Sequence, residues 1–118
     1  MVEYGVAIGY GIVVNNELMH NIYNHLDRSY SDAKKYCDVV DTLRERWSLE
    51  IDSWCGNDTF LGVIHRLDVE DSFVVRLENY KVKEEAIKEF LHFITDHGIY
   101  QVIANHWQPE MCLIHYCH

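Results

Sequence analysis

From Val2 to Val14 large and small side chains take turns. The even positions are Val2, Tyr4, Val6, Ile8, Tyr10, Ile12 and Val14, whereas the odd positions Glu3, Gly5, Ala7, Gly9 and Gly11 carry little apolar bulk before Val13. Successive side chains of a strand point to opposite faces, so the pattern predicts a long strand inside a sheet, one face bulky and the other nearly bare backbone.

The period then lengthens. Asn15 or Asn16 is placed to cap a helix in which Leu18, Ile22 and Leu26 recur every four residues, with Met19 and Tyr23 widening the stripe. Ser31, followed by Asp32, caps a second helix carrying Tyr36, Val39, Val40, Leu43 and Trp47 at helical spacing. From Leu49 the period returns to two, with Leu49, Ile51, Ser53 and Cys55 alternating with Glu50, Asp52 and Trp54 before a turn at Gly56-Asn57-Asp58. A strand at Thr59 to Arg66, a turn at Asp68 to Asp71 and a strand bearing Phe73, Val75 and Leu77 complete an expected antiparallel meander. A third helix, Val82 to His97, turns Ala86, Ile87, Phe90, Leu91 and Ile94 inward and stops at Gly98. Ile99 to Ala104 and Met111 to Cys117, on either side of Trp107-Gln108-Pro109-Glu110, read as a closing hairpin.

These elements predict an α+β fold: an antiparallel sheet of about five or six strands with three helices mainly on one face. A ferredoxin-like βαββαβ core with additions is a specific version that fits. No linker, repeat or low-complexity run divides the chain, so residues 1–118 form one expected domain.

Composition narrows what such a domain does. Of 118 residues 48% are apolar, too many for a disordered chain, and 19 acidic against 10 basic residues leave a formal charge of -9. That charge repels phosphate backbones and anionic membranes and excludes direct nucleic-acid binding as an expectation. The first residues lack the cationic and apolar pattern of a secretion signal, and no window approaches the roughly 18 apolar residues of a membrane span. A cytoplasmic protein is expected, with Cys37, Cys55, Cys112 and Cys117 as reduced thiols and no structural disulfide.

Candidate chemistry is sparse. Gly5, Gly9 and Gly11 do not have G-x-G-x-x-G spacing and lie within a strand pattern, so no phosphate loop is expected. Strand glycines instead mark a bulge, a sharp bend or a close helix, or leave room for another molecule. His20 and His25, like His92 and His97, are five residues apart and do not share a helix face. Cys112, His115 and Cys117, with His106, form the one alternative ligand set for zinc, although strand alternation divides them between faces. No G-x-S-x-G, H-E-x-x-H or zinc-deaminase spacing occurs, so a non-enzymatic role is expected.

Acidic residues supply the remaining signal. Glu50, Asp52, Asp58, Asp68, Glu70 and Asp71 fall in a stretch whose single cation is Arg66. With Leu49 and Ile51 beneath the helices, the opposite sheet face would show glycine backbone together with Glu50, Asp52, Trp54, Arg76 and Glu78. Glu50, Asp52, Trp54, Asp58, Glu78, Gly5 and Gly9 are therefore the expected partner-binding residues, with Trp54 as anchor and the carboxylates steering a basic protein. A homodimer through the glycine face or an edge strand is compatible. A short acidic chain rich in Tyr, His and Asn, without a catalytic signature, resembles the small accessory proteins encoded by bacteriophages, including inhibitors of host defence systems. The likeness extends over the whole chain in style and carries no matching motif. It implies a module in the host cytoplasm that occupies and inhibits a basic host protein, such as a nucleic-acid-handling or defence enzyme.

Overall fold

A computed structural model describes residues 4–53, 56–67 and 82–117. In chain order the elements are β1 (Tyr4–Val14), α1 (Asn16–Ser29), α2 (Ala33–Thr42) ending in a π-helical turn (Leu43–Trp47), β2 (Ser48–Ser53), β3 (Gly56–Leu67), α3 (Glu84–Asp96), α4 (Ile99–Ile103) and β4 (Glu110–Cys117). The sheet order is β2-β3-β1-β4, with every neighbouring pair antiparallel. β1 is thus an inner strand, and the fold is α+β as the periodicities predict. Among the described residues the sheet has four strands rather than five or six, and there are four α-helices rather than three. The expected turn at Asp68 to Asp71 and the strand at Phe73 to Leu77 lie outside the described residues.

The helix starts follow local chemistry. The Asn15 side chain accepts from the Leu18 amide at 2.8 Å, satisfying one of the first-turn donors that helix geometry leaves unpaired. At α2 the cap is Asp32 rather than Ser31, its carboxylate accepting from Lys34 N at 2.9 Å. Gly98 ends α3 with a φ of 72°, a left-handed conformation that costs a glycine little.

Ile99 to Ala104 is the largest departure from the sequence reading. It continues as α4 and a 3-10 turn (Ala104–His106), not as a strand. Ile99, Gln101 and Ile103 match a two-residue period, but Ile99 and Ile103 equally match one helical turn, and over so short a run the pattern does not discriminate. Packing does: both isoleucines are wholly buried against the other helices.

All the described helices gather on one sheet face. Met19, Ile22 and Leu26 of α1, Val39 and Val40 of α2, Leu43 and Trp47 of the π turn, Phe90 and Ile94 of α3, and the α4 isoleucines enclose Ile12, Val14 and Leu61. Each fully buried apolar side chain of this size contributes about 1.5–3 kcal/mol, so this core dominates the stabilisation. The helices cover the second half of β1 and the first half of β3.

The other face is the unexpected one. Ala7 and Phe60 are 0% exposed there and pack with Leu49, Ile114 and Tyr116 into a second apolar cluster. Phe60 pairs with Val13, four residues beyond Gly9, which in a flat sheet would hold its Cα about 13 Å along the strand from Gly9. Its Cε1 nevertheless lies 2.5 Å from the position a Gly9 Cβ would take. The β1–β3 pair must therefore fold over between those points, where Gly11 and Gly62 stand opposite each other. The edge strands β2 and β4 approach each other across the same concave face.

Candidate functional site

The bend changes what the glycines do. A Cβ on Gly5 would sit 2.8 Å from Cε2 of Tyr116, its cross-strand partner, and one on Gly9 would meet the Phe60 ring and, at 3.1 Å, Ile114 Cδ1. The expectation of a bare glycine face is corrected: the space left by absent side chains is filled by aromatic rings from β3 and β4 of the same chain.

The sidedness of β2 is corrected as well. Leu49 is paired with Phe60 and belongs to the glycine-face cluster, not to the helix-covered core. Because neighbouring residues alternate, Glu50 falls on the helix side, paired with Thr59, whereas Asp58 pairs with Ile51 on the Leu49 side. The Arg44 guanidinium supports this placement. It is held above its ordinary value first by its hydrogen bond to Tyr23 and then, more weakly, by the charges of Glu50 and Asp41. Glu50 and Asp58 thus flank opposite faces and do not form one acidic surface. Asp52 occupies the ladder position opposite Asn57, and Trp54 and Glu78 lie outside the described residues.

The C-terminal Cys/His set divides too. Cys112 packs against the glycine-face cluster, and burial, followed by the nearby Glu110 carboxylate, pushes its thiol up, away from the thiolate a metal would require. His115 lies on the other face of β4, Cys117 closes the ladder opposite Tyr4, and His106 stands in the 3-10 turn beside a shallow cavity lined by Val13, Asn15 and Asn21. Among the described residues no three His, Cys, Asp or Glu side chains are grouped to hold a metal ion. Cys37 and Cys112 are free thiols.

Two features of the sheet and helices were not singled out by sequence. The first is an apolar pair on β4. Met111 and Leu113 are 50% and 64% exposed and stand opposite Tyr10 and Ile8 in the ladder. Alternation along Met111 to Cys117 contains the signal, but which phase faces outward depends on the pairing with β1.

The second is a polar corner where α1 and α3 end. The Tyr30 hydroxyl and His97 Nδ1 are hydrogen-bonded, with the rings tilted at 54°. Phe93 meets His97 edge-on at 4.7 Å, and the His25 ring lies against Gly98, where a side chain would collide with it. Ser29 Oγ donates to His25 O at 2.7 Å. Burial lowers the His97 pKa from its ordinary 6.5, opposed by the charge of Asp96, so the ring is neutral at pH 7. His92 Nε2 lies 2.9 Å from Asp96. On the π-turn side, the Arg46 guanidinium covers the Trp47 ring at 4.4 Å and pairs with Glu89 at 2.8 Å. Trp47 is 5% exposed and its indole N–H is buried without a hydrogen-bond partner, a defect that costs about 1–3 kcal/mol.

No helix of the described residues is long and apolar enough to cross a membrane. Compared with known proteins, the chain matches no family model, no curated protein and no solved structure.

Proposed function

We propose that the chain is a non-enzymatic protein-binding module, a ferredoxin-like βαββαβ core that docks through the outer face of β4 onto a basic protein and inhibits it. One observation carries the reading: Met111 and Leu113 are exposed two residues apart on the same face of β4. Apolar pairs of this kind, when buried by a partner, supply the short-range contact energy of an interface. Charge supplies the long-range part, because a formal charge of -9 attracts basic surfaces and speeds encounter with them. In this reading the docking surface moves from the glycine face, which Phe60 and Tyr116 fill, to β4. Host proteins that handle nucleic acid are basic and therefore fit as partners of a phage-encoded inhibitor.

The test is capture from a bacterial lysate by the wild-type protein and by Leu113→Asp, each at about 0.1 M and about 1 M salt, where the screening length falls from about 10 Å to about 3 Å. A basic protein held by the wild type at low salt, released at high salt and not held by a Leu113→Asp variant of unchanged melting temperature is the expected result. Equal capture by that variant removes β4 from the interface.

A further inference from the structure

The two end strands of the sheet are unlike. β2 carries Glu50 and Asp52, and charged side chains on an end strand discourage pairing with another chain. β4 lacks that guard. Glu110, its first residue, is the only Asp, Glu, Lys or Arg from Glu110 to Cys117, and no lysine or arginine occurs from His97 to His118. Among the described residues β4 makes a ladder with β1 and with no other strand. β2 meets it through the apolar cluster of Leu49, Ile114 and Tyr116, without a ladder between the two. On the opposite face of β4, Met111 and Leu113 are exposed.

We propose that β4 is a self-association edge: Glu110 to Ile114 pairs antiparallel with the same five residues of a second copy, about a twofold axis at Cys112. Residues opposite each other in such a pair share a face, so this register sets Met111 against Leu113 of the second copy and Leu113 against its Met111. Glu110 falls opposite Ile114, four residues from its twin, which separates the two carboxylates by about 13 Å along the strands. The charge pattern selects a second copy as the occupant. Two chains of formal charge -9 repel each other wherever acids face, so contact between them must be made where charge is missing, and Met111 to Ile114 supplies such a stretch. Twofold symmetry makes that one uncharged strand its own complement. Pairing also satisfies the outward backbone N–H and C=O groups that an end strand leaves to water. A further consequence rests on the docking reading above: Met111 and Leu113 of both copies form one row of four apolar side chains, so each chain holds only half of the docking patch.

Sedimentation equilibrium of the wild type and of Leu113→Lys, at about 100 μM chain and at about 0.1 M and about 1 M salt, tests the edge. The wild type is expected at the mass of two chains, with a dissociation constant that falls as salt rises, because screening weakens the repulsion between acidic copies. Capture of a basic partner has the opposite salt dependence, so failure of the dimer and failure of the docking are distinguishable. Leu113→Lys, at a position 64% exposed, is expected to stay folded and to sediment as one chain, since lysine on an end strand opposes pairing. A single-chain mass for the wild type in both salts, or a dimer that persists unchanged in Leu113→Lys, overturns the proposal. Hydrogen exchange gives a second reading on the wild type alone. From about 1 μM to about 100 μM chain, alternate amides within residues 110–114 are expected to slow about tenfold. A dimer with unchanged exchange there, or with slowing confined to β2, places the interface elsewhere and overturns the edge.

Discussion

A methyl group on Gly11 would sit 2.8 Å from the Cα of Gly62, and one on Gly62 would sit 2.7 Å from the Cα of Gly11. The two residues are cross-strand partners, and their backbones touch where the β1–β3 pair folds over. This contact lets one sheet carry two cores, with helices on the Ile12 side and aromatic rings on the Gly9 side. Bent strands of this kind use glycine because no other residue lets paired backbones approach so closely.

Gly11→Ala is therefore expected to destabilise the fold by about 2–3 kcal/mol, the cost of forcing atoms into a filled space, even though alanine is the smallest addition. Urea denaturation measures it. Wild-type stability in that variant would mean that the strands do not meet at Gly11.

The Phe60 ring and Gly9 should be energetically coupled. Gly9→Ala alone places a carbon against the ring, and Phe60→Leu alone leaves a void that costs about 1–3 kcal/mol. Together the added methyl occupies part of the space the ring vacates. A double-mutant cycle is expected to return a favourable coupling of about 1 kcal/mol, and strict additivity would place the ring elsewhere.

Cysteine reactivity should separate the two described free thiols. Burial and Glu110 hold the Cys112 thiol above its ordinary value, whereas Cys37 is exposed. The thiolate is the nucleophile, so iodoacetamide at neutral pH is expected to modify Cys37 well before Cys112, as read by peptide mass spectrometry. Urea should level the two rates.

His97 gives the stability of the fold a pH dependence whose sign is fixed. Its folded pKa lies below its ordinary 6.5, so the unfolded chain binds the proton more readily. This contribution is fully present above pH 6.5 and is lost as pH falls from there through the folded value. The urea midpoint of the wild type should drop over that window and that of His97→Gln should drop less. At neutral pH, Tyr30→Phe should cost about 1 kcal/mol for the lost hydrogen bond.

Much of the secondary structure was legible along the chain. The alternation of Tyr4 to Val14, the Asn15 cap, the stripes of Leu18, Ile22 and Leu26 and of Phe90, Leu91 and Ile94, and the stop at Gly98 are local properties that act within a few residues. They suffice for an inner strand, three amphipathic helices and an α+β fold. Ile99 to Ile103 marks where local information ends, because the same isoleucines serve a strand or a single helical turn.

The candidate surfaces were decided by tertiary structure. Whether Leu49 or Glu50 faces the helices depends on β2 pairing Leu49 with Phe60, since a shift of one residue exchanges the faces of a strand. The glycines fixed that β1 has a bare side; only the fold-over at Gly11 and Gly62 brought Phe60 onto it. The same holds for Tyr30 and His97, far apart in the chain and hydrogen-bonded because two helices end at one corner. Sequence sets what each residue prefers locally, and the long-range contacts, made between residues far apart in the chain, choose which of those preferences becomes a surface.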